Sequence, residues 1–153
     1  MPETVTIRQG RREDALIITK YNRAMANETE SKCLHTQTVL KGVQAGLARP
    51  EICRYFVAEI EGQVIGQAMI TYEWSDWRNG TLWWLQSVYV HPDYRKQGVF
   101  RKLYQHIESL ARKEPDVRGI RLYVEERNRN GQSVYSKLGL TPAGYHVYER
   151  EFL

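Results

Sequence analysis

The run Leu82-Trp-Trp-Leu-Gln-Ser-Val-Tyr-Val90 constrains the fold most, because it is apolar at nearly every position. Strand alternation assigns Trp83, Leu85 and Tyr89 to one face and Leu82, Trp84, Val88 and Val90 to the other. A strand apolar on both faces belongs at a sheet centre that is covered on both sides. His91-Pro92-Asp93 stops it. Val99–Lys113 then places Val99, Phe100, Leu103, Tyr104, Ile107, Leu110 and Ala111 at helical spacing, and Gly119–Glu125 reads as another strand. Strand, helix and strand in this order imply a parallel, right-handed crossover.

Upstream, Thr4–Arg8 alternates as a short strand, and Arg11 to about Glu28 and His35–Leu47 read as helices. Arg54–Ile60 and Gln63–Trp74 are strand-like and flank Glu61-Gly62, a two-residue hairpin signal. Downstream come a short helix, Gly131–Leu138, and an alternating last strand, Tyr145–Phe152. The expected architecture is a mixed α/β sheet formed by residues 1–153 as one domain. With 42% hydrophobic and 26% charged residues the chain is globular in composition. A net charge of +4 favours an anionic ligand but is too mild to demand nucleic acid, and no RNP-like run supports an RNA-binding domain. Cys33 and Cys53 form no C-x-x-C pair, which excludes a disulfide framework and suits reduced thiols. The start has no apolar signal core, and no apolar run is long enough to cross a bilayer. The expectation is a cytoplasmic protein without membrane association.

Ligands of parallel strands sit beyond their carboxyl ends, which points to the loop His91–Gly98. A helix start carries unsatisfied N–H groups and partial positive charge, so acidic residues are usual there. Here Arg95, Lys96, Arg101 and Lys102 crowd it instead. A phosphate or pyrophosphate reverses the sign of that penalty, and Gly98 gives the backbone freedom to hug it. The alternative is a solvated basic face. The loop is neither G-x-G-x-x-G nor a Walker A motif, so dinucleotide and P-loop sites find no support.

The stretch Leu85–Leu103 resembles motif A of the GNAT superfamily of N-acetyltransferases, a strand followed by [Q/R]-x-x-G-x-[G/A] and a helix. Arg95 and Gly98 match, while Phe100 replaces the usual Gly or Ala, so its ring is expected to point into the core. Tyr123–Leu140 resembles motif B, N-x-x-A-x-x-x-Y-x-K-x-G-F, with Asn128, Tyr135, Lys137 and Gly139 aligned, Gly131 standing for Ala and Leu140 for Phe. The resemblance implies a mostly antiparallel central sheet with helices on both faces, and acetyl-CoA as co-substrate. Its pyrophosphate would rest on Arg95, Lys96, Gln97, Gly98, Val99, Phe100 and Arg101, and its pantetheine arm on Val88, Tyr89, Val90 and Asn128.

Acetyl transfer to an amine needs a deprotonated amine, a stabilised oxyanion and a proton for the leaving thiolate. The resemblance makes Tyr135 the general acid, with a packed helix-face aromatic as the plainer alternative. Gln86-Ser87 suggests a bulge whose free N–H near Val88 would polarise the thioester carbonyl, the plainer alternative being two satisfied polar residues in a buried strand. Glu73 is expected to face the same sheet end and is the first candidate base, with Glu28 second. Trp74 and Trp77 beside Glu73 are candidates to receive a small-molecule or peptide amine, and Trp84 is expected in the core. Four dispersed histidines offer no zinc ligand set, so no metal is expected. The terminal alternating run, like sheet edges in the family, implies a homodimer. A non-catalytic CoA-binding sensor is the competing function.

Overall fold

The computed structural model describes residues 4–152. They divide into two compact units, one running through Tyr123 and one from Val124 onward.

In the first unit, β1 (Thr6–Gln9), β2 (Cys53–Ile60), β3 (Gln63–Ser75), β4 (Gly80–Val90) and β5 (Val117–Leu122) form one sheet in chain order. The first three pairings are antiparallel and β4–β5 is parallel. The expected mixed, mostly antiparallel sheet with one parallel crossover is therefore present. The β2–β3 turn has φ 48° at Glu61 and 80° at Gly62, the two left-handed residues a tight hairpin requires.

Helix α1 (Ala15–Glu30) and helix α2 (Thr36–Leu47) cover one face. Ile18, Tyr21 and Val43 pack there with Cys53, Tyr55, Val57, Val64 and Tyr89. Helix α3 (Val99–Lys113) covers the other face, burying Val99, Leu103, Tyr104, Ile107 and Ala111, the stripe its spacing predicts. The entry to α1 is fixed by Asp14, whose carboxylate accepts two hydrogen bonds from the Arg8 guanidinium (2.8 and 3.0 Å) and one from the Arg11 N–H (2.8 Å).

Strand β4 departs from simple alternation. Its register with β3 runs Met69↔Gln86 and then Gln67↔Tyr89, so Ser87 and Val88 lie opposite Ala68, and Ser87 has φ 52°. This is a β-bulge, at the polar pair where the sequence suggests one. The extra residue reverses the faces beyond it. Trp83 shares its face with Tyr72 and Arg54, whereas Tyr89 joins Tyr21 on the α1 side. The expectation that Tyr89 shares a face with Trp83 and Leu85 is corrected by that one inserted residue. Trp84 is also not core: it is half-buried, while Trp83 is 2% exposed. The β4–β5 pairing ends at Leu85↔Leu122, and beyond it the register gives the two strands no further partners.

The second unit contains α4 (Arg129–Lys137), capped by Asn128, whose Oδ1 accepts from the Gly131 N–H at 2.9 Å. A Cβ at residue 131 would meet the Asn128 side-chain amide at 2.7 Å, so an alanine there would require the cap to shift. The expected strand Tyr145–Phe152 does not form. The segment is irregular and exposed, with Tyr148 93% and Phe152 90% accessible. Alternation states which face each residue would take, but a strand exists only where another strand accepts its hydrogen bonds.

Candidate functional site

Strand β4 delivers its last residues to a short 3-10 turn, Pro92–Tyr94, where His91 Nδ1 accepts from the Asp93 N–H at 3.1 Å. Two left-handed residues follow, Lys96 with φ 63° and Gly98 with φ 80°. Gly98 is the N-cap of α3 and supplies no side-chain cap, and no acidic residue lies in the first turn. Arg95, Lys96, Gln97, Gly98, Arg101 and Lys102 are all exposed. A Cβ at Gly98 would meet nothing within 4 Å, so the space above the helix start is open. Open space, uncapped N–H groups and four cationic side chains make an anion cradle. This is a fit for a pyrophosphate. The Val99 side chain is buried and points away from the cradle, packing near Gly66. Phe100 is half-buried, with its ring 6.3 Å from Tyr104 along the helix flank, not in the core as expected.

The end of α1 reaches this loop. Glu28 accepts from the Tyr89 hydroxyl (3.0 Å) and pairs with Arg95 (2.8 Å), while Arg95 Nε donates to the Val90 carbonyl at 2.8 Å. The guanidinium lies 5.2 Å from the Tyr89 ring centroid. Burial and then the Glu28 carboxylate push the Tyr89 phenol above its ordinary pKa. Glu28 of α1 is thus brought to Tyr89, Val90 and Arg95 from more than 60 residues away.

Glu73 is not brought to that end. It pairs in register with Leu82, six residues before Val88, or about 20 Å along a strand at roughly 3.3 Å per residue. Its carboxylate accepts from the Trp84 indole N–H (2.8 Å) and pairs with Arg121 (3.2 Å). The antiparallel register explains the correction: the carboxyl end of β3 lies beside the amino end of β4. Trp74, next to Glu73 in the strand, faces the opposite side and is 63% exposed. Trp77 sits in the hairpin turn at 88% exposure, so the expected acidic–aromatic pocket is not assembled. Glu73, Trp84, Arg121 and Tyr123 form a cluster instead, with the Trp84 and Tyr123 rings 4.5 Å apart.

Sequence reasoning missed Gln67. It is 0% exposed, and its Nε2 donates to Asn22 Oδ1 (2.8 Å) and to the Ser87 carbonyl at the bulge (3.1 Å). A lone amide within Val64-Ile-Gly-Gln-Ala-Met-Ile70 was the available signal. A groove of about 580 Å³ lined by Arg54, Tyr72, Thr81, Trp83 and Asp116 lies at the amino ends of β4 and β5, away from the cradle, and the Arg54 guanidinium lies over its Trp83 wall at 4.8 Å.

In the second unit, Asn128 caps α4 and Tyr135 follows on the same helix, half-buried, its phenol pushed up by burial and so protonated at neutral pH.

The sequence matches the acetyltransferase (GNAT) family over residues 19–140. The mixed, mostly antiparallel sheet with one parallel crossover matches the fold of solved acetyltransferases, and the chain belongs to this family. It is 29% identical over 92 residues to thialysine N-epsilon-acetyltransferase of Bos taurus, a match covering 58% of this chain and 53% of that protein. The chain thus spans about half the length of that curated relative. It is 40% identical to a solved structure described as a possible acetyltransferase from Clostridium difficile 630, with a TM-score of 0.91 and 99% of each chain covered. A predicted acetyltransferase from Clostridium acetobutylicum, solved with acetyl-CoA, has a TM-score of 0.80 at 17% identity over 96% of each chain.

Proposed function

We propose that this chain transfers the acetyl group of acetyl-CoA to a primary amine by direct attack, without a covalent enzyme intermediate. The observation that carries this reading is the cation-rich, uncapped start of α3, held open by Gly98 at the carboxyl end of a bulged β4. The backbone N–H groups of Gly98 to Arg101, with Arg95, Lys96 and Gln97, hold the pyrophosphate. Val88, Tyr89 and Val90 pair with the pantetheine arm where β5 no longer pairs with β4. Asn128 contributes from the second motif.

Glu28 assists deprotonation of the acceptor amine, since it lies on Tyr89 and Arg95 at the cradle end. The amine lone pair attacks the thioester carbonyl, and the Val88 N–H stabilises the oxyanion. The carbon–sulfur bond breaks, and Tyr135 gives its proton to the thiolate. The exposed run Tyr145–Phe152 supports pairing with a second copy, which light scattering tests.

The deciding experiment adds an amine library to protein and acetyl-CoA and follows free thiol. Amine-dependent thiol release supports transfer. Tight acetyl-CoA binding with no release for any amine favours the non-catalytic sensor.

A further inference from the structure

We infer that Gln67 is a positioning residue that sets the direction of the Val88 N–H by holding the opposite side of the Ser87–Val88 peptide. The inference rests on the acetyl-CoA reading above.

Gln67 lies in mid β3 among the buried Ile65, Ala68 and Ile70. Both hydrogens of its amide are used, on Asn22 of α1 and on the Ser87 carbonyl of β4. Its Oε1 is buried without any hydrogen-bond partner. An unsatisfied buried acceptor carries a desolvation penalty that a methionine or leucine of similar volume would not. The hydrogen bonds of Nε2, not packing, account for an amide at this position.

The Ser87 carbonyl belongs to the bulged peptide of β4. Ser87 and Val88 share the single opposite residue Ala68, and the β4–β5 register stops before them. A bulge disrupts the ladder that would otherwise orient such a peptide. Because a trans peptide is planar, the carbonyl of Ser87 and the N–H of Val88 point in opposite directions. Fixing the carbonyl on Gln67 therefore fixes the N–H. Donors for a developing oxyanion are effective when pre-oriented, because no reorganisation is then needed during the reaction. The register shift that opens β4 and the amide that steadies it are thus two parts of one device.

The test needs no knowledge of the acceptor. Acetyl-CoA labelled with ¹³C at the thioester carbonyl is bound to the full chain, and its carbonyl stretch is read by infrared difference spectroscopy. In the native protein the stretch is expected at lower frequency than in free acetyl-CoA. In Gln67→Met that downshift should be lost while acetyl-CoA affinity is retained. In Asn22→Ala, which removes only the tie to α1, the downshift should remain. An unchanged downshift in the Met variant overturns the inference, as does an equal loss in the Asn22 variant. Hydrogen exchange of the Val88 amide in the ligand-free protein is an independent readout. It should quicken in Gln67→Met, and an unchanged rate refutes the positioning role whatever the ligand. If the Met variant does not fold, Gln67→Asn, whose shorter amide cannot reach the Ser87 carbonyl, takes the same two readouts: a lost downshift with faster Val88 exchange supports the inference, and native values overturn it. Absence of any acetyl-CoA binding by the native protein is a separate outcome, which removes the functional reading and this inference with it.

Discussion

Substituting Gly98 tests the cradle through backbone strain, and the structure separates the contributions. A Cβ at this position meets nothing within 4 Å, so Gly98→Ala introduces no clash with the protein. What it introduces is a left-handed conformation at φ 80° for a residue with a Cβ, a penalty of about 1–2 kcal/mol. The penalty can appear in two places. If the loop stays left-handed, folding bears it and CoA affinity is unaffected. If the loop relaxes, stability is spared and binding must restore the strained conformation. Arg95 is tied to Glu28 and to the Val90 carbonyl, but Lys96 to Gly98 are exposed and no side chain caps α3, so the strain can relax at the Gly98 end of the loop and relaxation is expected. The dissociation constant for CoA should then rise by about 5–30-fold, the equivalent of 1–2 kcal/mol. Gly98→Val, β-branched and more strongly excluded from this region, should weaken binding further. Titration calorimetry with CoA, paired with thermal unfolding of the same samples, apportions the penalty. Normal affinity for Gly98→Val with an unchanged unfolding temperature would mean that a relaxed loop binds as well as the left-handed one, which would place the anion elsewhere and end the cradle argument.

Three further outcomes are expected. Tyr135→Phe keeps the ring and deletes the proton donor, so turnover should fall by roughly 10²-fold while the KM for acetyl-CoA changes little; near-normal turnover returns Tyr135 to packing. Glu73→Gln should leave turnover intact and lower stability by about 0.5–1 kcal/mol, since its pair with Arg121 is partly exposed, as read by thermal unfolding; a selective loss of turnover would restore Glu73 as the base. Burial by itself raises the Asp14 carboxyl, but the Arg8 fork and the Arg11 N–H outweigh it and hold it below the usual carboxylate range. Its stabilisation is then present above about pH 4 and lost as pH falls through the lowered folded value, so the stability gap between native protein and Asp14→Asn in denaturant unfolding should narrow in acid, and a gap independent of pH would refute the assignment.

The outline of the fold was readable because α3 and β4 carry strong periodic patterns. Val99–Lys113 was bounded to the residue, and β4 to within two residues at its start. The order of elements and the parallel crossover follow from those patterns. What failed depended on pairing. Tyr145–Phe152 has the alternation of a strand, yet alternation is a property of side chains, while a strand requires a partner's backbone. Glu73 was misplaced for the related reason that its position depends on register: its sequence neighbours are strand residues whichever end of β4 they meet.

The cradle was readable because a helix start has a local signature, in which glycine and basic residues stand where a cap and acids belong. The rest of the site is non-local. Glu28 meets Arg95 from 67 residues away, and Gln67 meets Ser87 from 20. Even the bulge, suggested by Gln86-Ser87, has an effect that no local pattern shows, since one inserted residue moves Tyr89 from the Trp83 face to the α1 face. Were the present sequence to run in unbroken alternation, the Tyr89 hydroxyl would lie on the α3 side and could not reach Glu28. With this sequence, the bulge therefore also brings the phenol to the carboxylate and the guanidinium at the cradle. Deleting Ser87 removes the extra residue and leaves Tyr89 opposite Gln67 on the α1 face, so the Glu28–Arg95 pair should persist, whereas the Val88 peptide joins the regular ladder opposite Ala68. The infrared downshift of bound acetyl-CoA should then disappear with affinity largely kept, and an unchanged downshift would refute a role for the bulge.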